Sequence, residues 1–461
     1  MSSPKSRSLW RNENAAWLGL FLPALSYFVS TRLTALGLFR SSTVGDVLPH
    51  TLQLLDSVGG NSYSCQNYHK AKRSRDFLYL PKNCQGLQYP VYTVLEDVTE
   101  SIVSTTWKED EELGRGYLLF SSSANKGRIF QWETGGGPIA IGRTLHLNDA
   151  GCRSNLYRNC DDPGSKNGEQ PIGSGGIAVD MSVSESPRLM VAEYGEGRII
   201  RLEENGARTP LIIQTPRTLG DESQTQQSRL CQPFRLLMTP HKDIMIMDDT
   251  SGCRLHSSND DDDRFQLWRL PKATDIPALS NLAASRKAHA WTHTNSTTTP
   301  EPSIFFHSSS MGGMAIDTTG HGVFVTTVVD KGGESRVVVV RLALSQDDES
   351  YEDDESNQAN NSAQSQIVID YSEYTAKPGP IEIDNHGNIF LGVDDGILVV
   401  SKSQGLLSKV SFSITMEDPI VDLTVGSDKF LYMATRTRLM RFQVPGSPLV
   451  IDKKTLLKYI T

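Results

Sequence analysis

The stretch RLMVAEYGEGRIIRLEENGARTPL, Arg188 to Leu211, reads as a strand, a tight glycine-containing turn and a second strand. Two strands alone are at best marginally stable in water. The hairpin therefore needs neighbours to pack against, and its pattern recurs along the chain.

Five further copies carry an apolar run closing on Asp or Gly, a turn and a second apolar strand. They are GYLLFSSSANKGRIFQWE from Gly116, FRLLMTPHKDIMIMDDTSG from Phe234 with FQLWRL later, and GGMAIDTTGHGVFVTTVVD from Gly312 with RVVVVRL later. The last two are GPIEIDNHGNIFLGVDDGILVVS from Gly379 and VDLTVGSDKFLYMATRTRLMRFQV from Val421; the opening stretch, with GGIAVD ahead of it, starts at Gly175. The starts are about 40 to 80 residues apart, wider than a bare four-stranded unit where polar insertions intervene. Six units that each need a neighbour on both sides predict an all-β fold, a six-bladed β-propeller over 98–450. A β-sandwich of the same hairpins would account for the alternation but not for the repeated order apolar-Asp, turn, apolar-Arg-Leu.

Upstream of the repeats, Lys5, Arg7 and Arg11 form a basic tail over 1–14 and precede AAWLGLFLPALSYFVS and LTALGLF, so that 15–39 is apolar with one interior cation, Arg32. Spanning a bilayer takes roughly 20 such residues. Three readings stand: a type II signal anchor, a cleaved secretory signal or a buried helix. The first two put the remainder in the secretory pathway, membrane-anchored or secreted. The segment 40–97 has no repeat character and reads as a stem, a cap or part of a closing strand; 451–461 is a C-terminal tail.

Cysteine usage fits an oxidising compartment. Cys65, Cys84, Cys152, Cys160, Cys231 and Cys253 all follow the apolar segment and form no Cys-x-x-Cys pair. Proximity in sequence suggests Cys65 with Cys84, Cys152 with Cys160 and Cys231 with Cys253; free buried thiols are the alternative. Asn295 and Asn360 are glycosylation sequons in polar stretches.

Across its 461 residues the chain is 38% hydrophobic and 21% charged, with a net charge of -9, which argues against nucleic acid as a partner because phosphate binding needs a basic face. Much of that charge sits in one run, Asp347 to Glu355, within an insertion at 345–365 read as a solvated, disordered loop. SSNDDDDR from Ser257 lacks the spacing of an EF-hand loop, TGGGP from Thr134 lacks the Gly-Lys-Ser/Thr of a phosphate loop, and neither Gly-x-Ser-x-Gly nor His-Glu-x-x-His occurs.

GYLLFSS, GSGGIAVD with RLMVAEYGEGRIIRLEENG, GPIEIDNHGNIFLGVDDGILVV and LTVGSDKFLYMATRTRLMRF resemble, in order and spacing, blades of the senescence-marker-protein/gluconolactonase propellers, with strictosidine-synthase-like proteins as more distant kin. The resemblance runs from about Val98 to Val444. It implies one divalent cation, Ca²⁺ or Zn²⁺, in the central channel and hydrolysis of sugar lactones or related esters, with the ion polarising the carbonyl and a carboxylate moving protons.

Carried over residue by residue, that ligand set is degenerate. The blade-one Glu matches Glu100 in TESIVSTT, and the strand-end Asp of blade three matches Asp248 in IMIMDD, a metal ligand or the catalytic carboxylate. The Ser-Pro-Asn-Asp of blade three is Gln232, Pro233, Phe234 and Arg235; Pro-Asn-Gly of blade four is Met311, Gly312 and Gly313; Pro-Asp-Gly of blade five is Pro378, Gly379 and Pro380. In blade two, Asn-Gly is Gly175 and Gly176, and Glu-His-Gly is Glu193, Tyr194 and Gly195. A Ca²⁺ ion takes about six to eight oxygens, so Arg235, pairing with Glu100 or Asp248, is expected to stand in for the metal. Glu196, Glu382, Asp394, Asp395 and His307 are further carboxylates and imidazole within reach of a small alignment shift. Two functions follow: a lactone or ester hydrolase with a degenerate metal site, or a propeller that has lost the metal and binds a ligand or a protein.

Overall fold

The structure is a computed structural model, and it describes residues 78–79, 91–96, 101–110, 115–122, 128–133, 143–149, 174–180, 188–193, 198–203, 208–212, 230–250, 264–271, 302–331, 333–344, 365–401, 405–411 and 418–449. They form six sheets, each with an antiparallel four-stranded meander. Blade one holds Ile102–Asp110, Arg115–Ser122, Arg128–Glu133 and Arg143–Asp149; blade two holds Ser174–Asp180, Arg188–Glu193, Arg198–Leu202 and Arg208–Ile212. Blade three is Pro233–Met238, Ile244–Asp249, Phe265–Leu270 and Ser303–Ser308; blade four is Met311–Ile316, Gly322–Lys331, Glu334–Ala343 and Ser365–Asp370, with Leu78–Tyr79 added in parallel on its outer edge. Blade five is Ile381–Ile383, Asn388–Val393, Gly396–Ser401 and Gly405–Ser411.

Blade six closes the ring. Its inner three strands, Asp422–Val425, Phe430–Ala434 and Leu439–Gln443, come from the end of the chain, and its outer strand, Tyr92–Leu95, comes from before blade one and pairs antiparallel with Leu439–Gln443. Joining the two ends of the repeat array in one sheet removes the open edge that a row of blades would leave.

Why these residues make blades is visible in the core. It is divided into six clusters, each between two neighbouring blades, and the sixth, with Trp107, Phe120, Trp132, Tyr432 and Leu439, joins blade six to blade one. A second strand is therefore covered on both faces. Ile244 and Ile246 face blade two while Met245 and Met247 face blade four, which is why IMIM is an uninterrupted apolar run. In blade one, Leu118 faces blade six and Leu119 faces blade two.

The third-strand arginines of blades three, four and six have partners as well. Arg269 of the third strand of blade three holds Asp243 at 2.8 Å, Arg341 of blade four holds Asp317 at 2.6 Å, and Arg441 of blade six lies 3.9 Å from Asp428. In each case the acid belongs to the first turn of the same blade, so the pattern is a clamp across the meander. One boundary differs from the sequence reading: Gly116 lies in the second strand of blade one, because the inner strand IVSTTWKED is too rich in polar residues to stand out as a repeat.

The apolar segment at 15–39, the insertion at 345–365 and the tail at 451–461 lie outside the described residues. Among the described residues no helix is long and apolar enough to cross a membrane.

Candidate functional site

The inner strands of the six blades follow one another around the central axis, and there the side chain of Arg235 crosses from blade three to the opposite side. Its guanidinium donates to the Val103 carbonyl of blade one at 2.5 Å and to the Val421 carbonyl of blade six, and lies 3.7 Å from the Asp422 carboxylate. Arg235 and Asp422 are each 8% exposed, so this charge pair is largely removed from water. Asp422 is held in place by the backbone N–H of Thr105, which donates to it at 2.5 Å, and by that of Leu423 at 3.0 Å.

Glu382 joins them from blade five. Ile381 and Ile383 on either side of it pack into the core shared with blade four, so the half-buried Glu382 projects from the opposite face of its strand. Burial foremost, with Asp422 and Asp384 adding to it and the Ile383 N–H opposing, pushes its pKa up to about 8. At neutral pH Glu382 is therefore mostly protonated and can donate a proton, beside an Asp422 that faces a guanidinium.

Glycines in or just before the inner strands explain why the axis is so tightly filled. A Cβ on Gly175 would stand 2.2 Å from the Pro233 carbonyl oxygen, one on Gly312 2.2 Å from that of Pro378, and one on Gly379 2.2 Å from that of Gly392. These are contacts with backbone that no rotamer relieves. Hydroxyls from second strands lock the same crossings: Ser121 donates to the Gly175 carbonyl at 2.7 Å, and Thr326 donates to that of Gly379 at 2.6 Å while accepting the Gly313 N–H at 2.8 Å. So where the resembled family has Asn or Asp as ligands, this chain has glycines whose side-chain space is taken by neighbouring backbone.

Asp248 is committed elsewhere. It is fully buried and accepts the backbone N–H groups of Cys231, at 2.8 Å, and Gln232, at 2.6 Å, fixing the entry to blade three. Burial pushes its pKa up to about 7, against those two hydrogen bonds, and Asp249 adds to the rise. Phe234 packs edge-on against Phe265, with ring centroids 5.8 Å apart, in the layer between blades three and four. Glu193 is buried at the end of the second strand of blade two. Exposed Asp394 and Asp395 sit in the turn after Asn388–Val393, and His307 is on the outer strand of blade three. Cys231 is the one cysteine among the described residues and is disulfide-bonded. Glu100, Tyr194, Glu196, Cys65, Cys84, Cys152, Cys160, Cys253, Asn295 and Asn360 lie outside the described residues.

Of the sequence-derived candidates, then, the structure brings Arg235 and Glu382 to the axis and adds Asp422, which the sequence reading did not single out. Among the described residues no group of three or more His, Cys, Asp or Glu is placed to hold a metal ion. The donors present at the axis do not fit a divalent cation: one carboxylate already faces a guanidinium, the other holds a proton, and the carbonyls of Val103 and Val421 accept from Arg235.

No family model and no curated protein matches the chain. Solved structures similar to it are propellers of the gluconolactonase and regucalcin kind: a gluconolactonase from Xanthomonas campestris, with 14% identity and a TM-score of 0.48, covering 77% of this chain and 90% of that one; and a calcium-binding regucalcin from Agrobacterium tumefaciens, with 9% identity and a TM-score of 0.45, covering 77% and 97%. The likeness is one of fold. A streptogramin B lyase, with 11% identity and a TM-score of 0.39, covering 77% and 97%, is among the similar structures too.

Proposed function

We propose that this chain is a binding propeller that has exchanged the channel cation for an arginine and holds a small molecule or a protein at the channel mouth and the loops around it. The observation that carries this reading is the reach of Arg235 across the axis to Val103, Val421 and Asp422. A guanidinium supplies positive charge where an ion would sit, but it has no open coordination position to polarise a substrate carbonyl or activate water. In this reading the apolar segment 15–39 is a signal anchor or signal that delivers the propeller to the luminal or extracellular side. Pairing of Cys231 with Cys253 and glycans on Asn295 and Asn360 would then suit it to that compartment.

A second reading is favoured by Glu382. A carboxyl that holds its proton at neutral pH is a candidate general acid for hydrolysis of a lactone or ester, with Glu382 giving a proton to the leaving oxygen and Asp422 orienting Arg235. Should Glu100 recruit a divalent cation, the hydrolase would be a degenerate, metal-assisted version of the resembled lactonases.

A panel of sugar lactones and simple esters, assayed on the full chain with and without added Ca²⁺, separates the two. The binding reading expects hydrolysis at the rate of buffer alone in both conditions. Turnover that is abolished in Glu382→Gln would replace it with the second reading, and turnover that requires Ca²⁺ and is lost in Glu100→Gln would establish the metal-assisted form.

A further inference from the structure

The channel is not the only place where side chains from different blades converge. The first turn of blade three, 239–243, carries His241, and the first turn of blade four, 317–322, carries His321. Their ring centroids are 5.6 Å apart and the rings are inclined at 35°. His241 interacts through its ring with the backbone of Gly320, while its Nε2 is buried and makes no hydrogen bond. An imidazole nitrogen without a partner is the kind of donor that a transition cation takes.

A buried ring nitrogen with no partner calls for an explanation, and an ion is one of the few that satisfies it. We propose that His241 and His321 form a two-histidine site for a borderline divalent transition cation, Zn²⁺ or Cu²⁺, that cross-links the first turns of blades three and four. Two imidazoles on one tetrahedral ion, each nitrogen about 2 Å from it, put their ring centroids roughly 5 to 6 Å apart. The flanking carboxylates do not compete for the ion: Asp243 is held by Arg269 at 2.8 Å and Asp317 by Arg341 at 2.6 Å. A donor set of two nitrogens completed by water selects a borderline cation over Ca²⁺ or Mg²⁺, which require oxygens.

The test uses the full chain stripped with chelator and titrated with Zn²⁺ by calorimetry, with thermal melting in parallel. One equivalent bound at micromolar affinity with a rise in melting temperature is expected, and His241→Gln and His321→Gln should each weaken it by about tenfold or more. Glu100→Gln and Glu382→Gln should leave it unchanged, which separates this site from the channel. Co²⁺ added to the unmutated chain should give visible ligand-field bands without a thiolate charge-transfer band, a readout independent of how the variants fold. Absence of Zn²⁺ binding, binding unchanged in both histidine variants, or a thiolate band with Co²⁺ would overturn the assignment.

Discussion

Arg235 of blade three lies 3.7 Å from Asp422 of blade six, and the same guanidinium donates to the Val103 carbonyl of blade one. Three blades are thereby tied together across the axis by one side chain. A buried pair of this kind is weak evidence of net stabilisation, but removing one partner leaves the other charge stranded. Arg235→Leu should therefore cost about 3–5 kcal/mol. Replacing both, as Arg235→Leu with Asp422→Leu, should recover most of that loss, and denaturant unfolding of the single and double variants measures it.

Arg235→Lys is not a conservative change here. An ammonium on a flexible stem has no planar fork with which to reach two carbonyls from different blades at once. The variant should unfold at lower denaturant concentration than the unmutated chain, and a midpoint equal to the wild type would show that charge alone suffices.

The raised carboxyls give stability a pH dependence with a definite sign. Asp248 and Glu382 hold their protons to about pH 7 and 8 when folded, whereas in the unfolded chain they release them near the ordinary carboxyl values of 3.8 and 4.5. In between, the native state binds protons that the unfolded state has lost, so these two groups make stability fall as pH rises through that window and restore it on acidification. Glu382→Gln should flatten the slope of stability against pH between about pH 5 and pH 8. Melting curves across that range check it, and an unchanged slope would mean that Glu382 ionises normally in the folded protein.

The glycine crossings should resist even a methyl group. Gly312→Ala places a Cβ against the Pro378 carbonyl at 2.2 Å, and should cost at least the roughly 1–3 kcal/mol typical of overpacking. Gly379→Asp, which restores the carboxylate of the resembled family, meets the Gly392 carbonyl at 2.2 Å and should destabilise the chain without creating Ca²⁺ affinity. Thr326→Val tests the lock on the same crossing: it leaves the Gly379 carbonyl and the Gly313 N–H without their partner, at a cost of about 1–3 kcal/mol.

What the sequence made legible and what it concealed have one physical origin. Strands buried on both faces, such as Ile244–Asp249 and Gly322–Lys331, announce themselves as apolar runs, and the third-strand Arg-Leu repeats because each arginine clamps an acid in its own blade. Local pattern was enough for the propeller. Ring closure is not local: Tyr92–Leu95 is four residues in a segment without repeat character, and only its register with Leu439–Gln443 makes it a blade strand.

The site follows the same division. That Arg235 replaces an expected ligand is visible in Gln232-Pro233-Phe234-Arg235, but its carboxylate partner Asp422 belongs to the last blade, and no spacing rule joins the two. Glu382 was one of several carboxylates until Ile381 and Ile383 fixed its face. His241 and His321 sit in two turns with no motif between them, and only the stacking of blade three on blade four brings them together.

The central claim is that an arginine occupies the place of a channel cation. Calorimetric titration of the chelator-stripped full chain with Ca²⁺, an oxygen-seeking ion to which the histidine pair is indifferent, addresses it directly. The account predicts no binding heat and no shift in melting temperature. Ca²⁺ bound at micromolar affinity with a rise in melting temperature, both lost in Glu100→Gln, would contradict it.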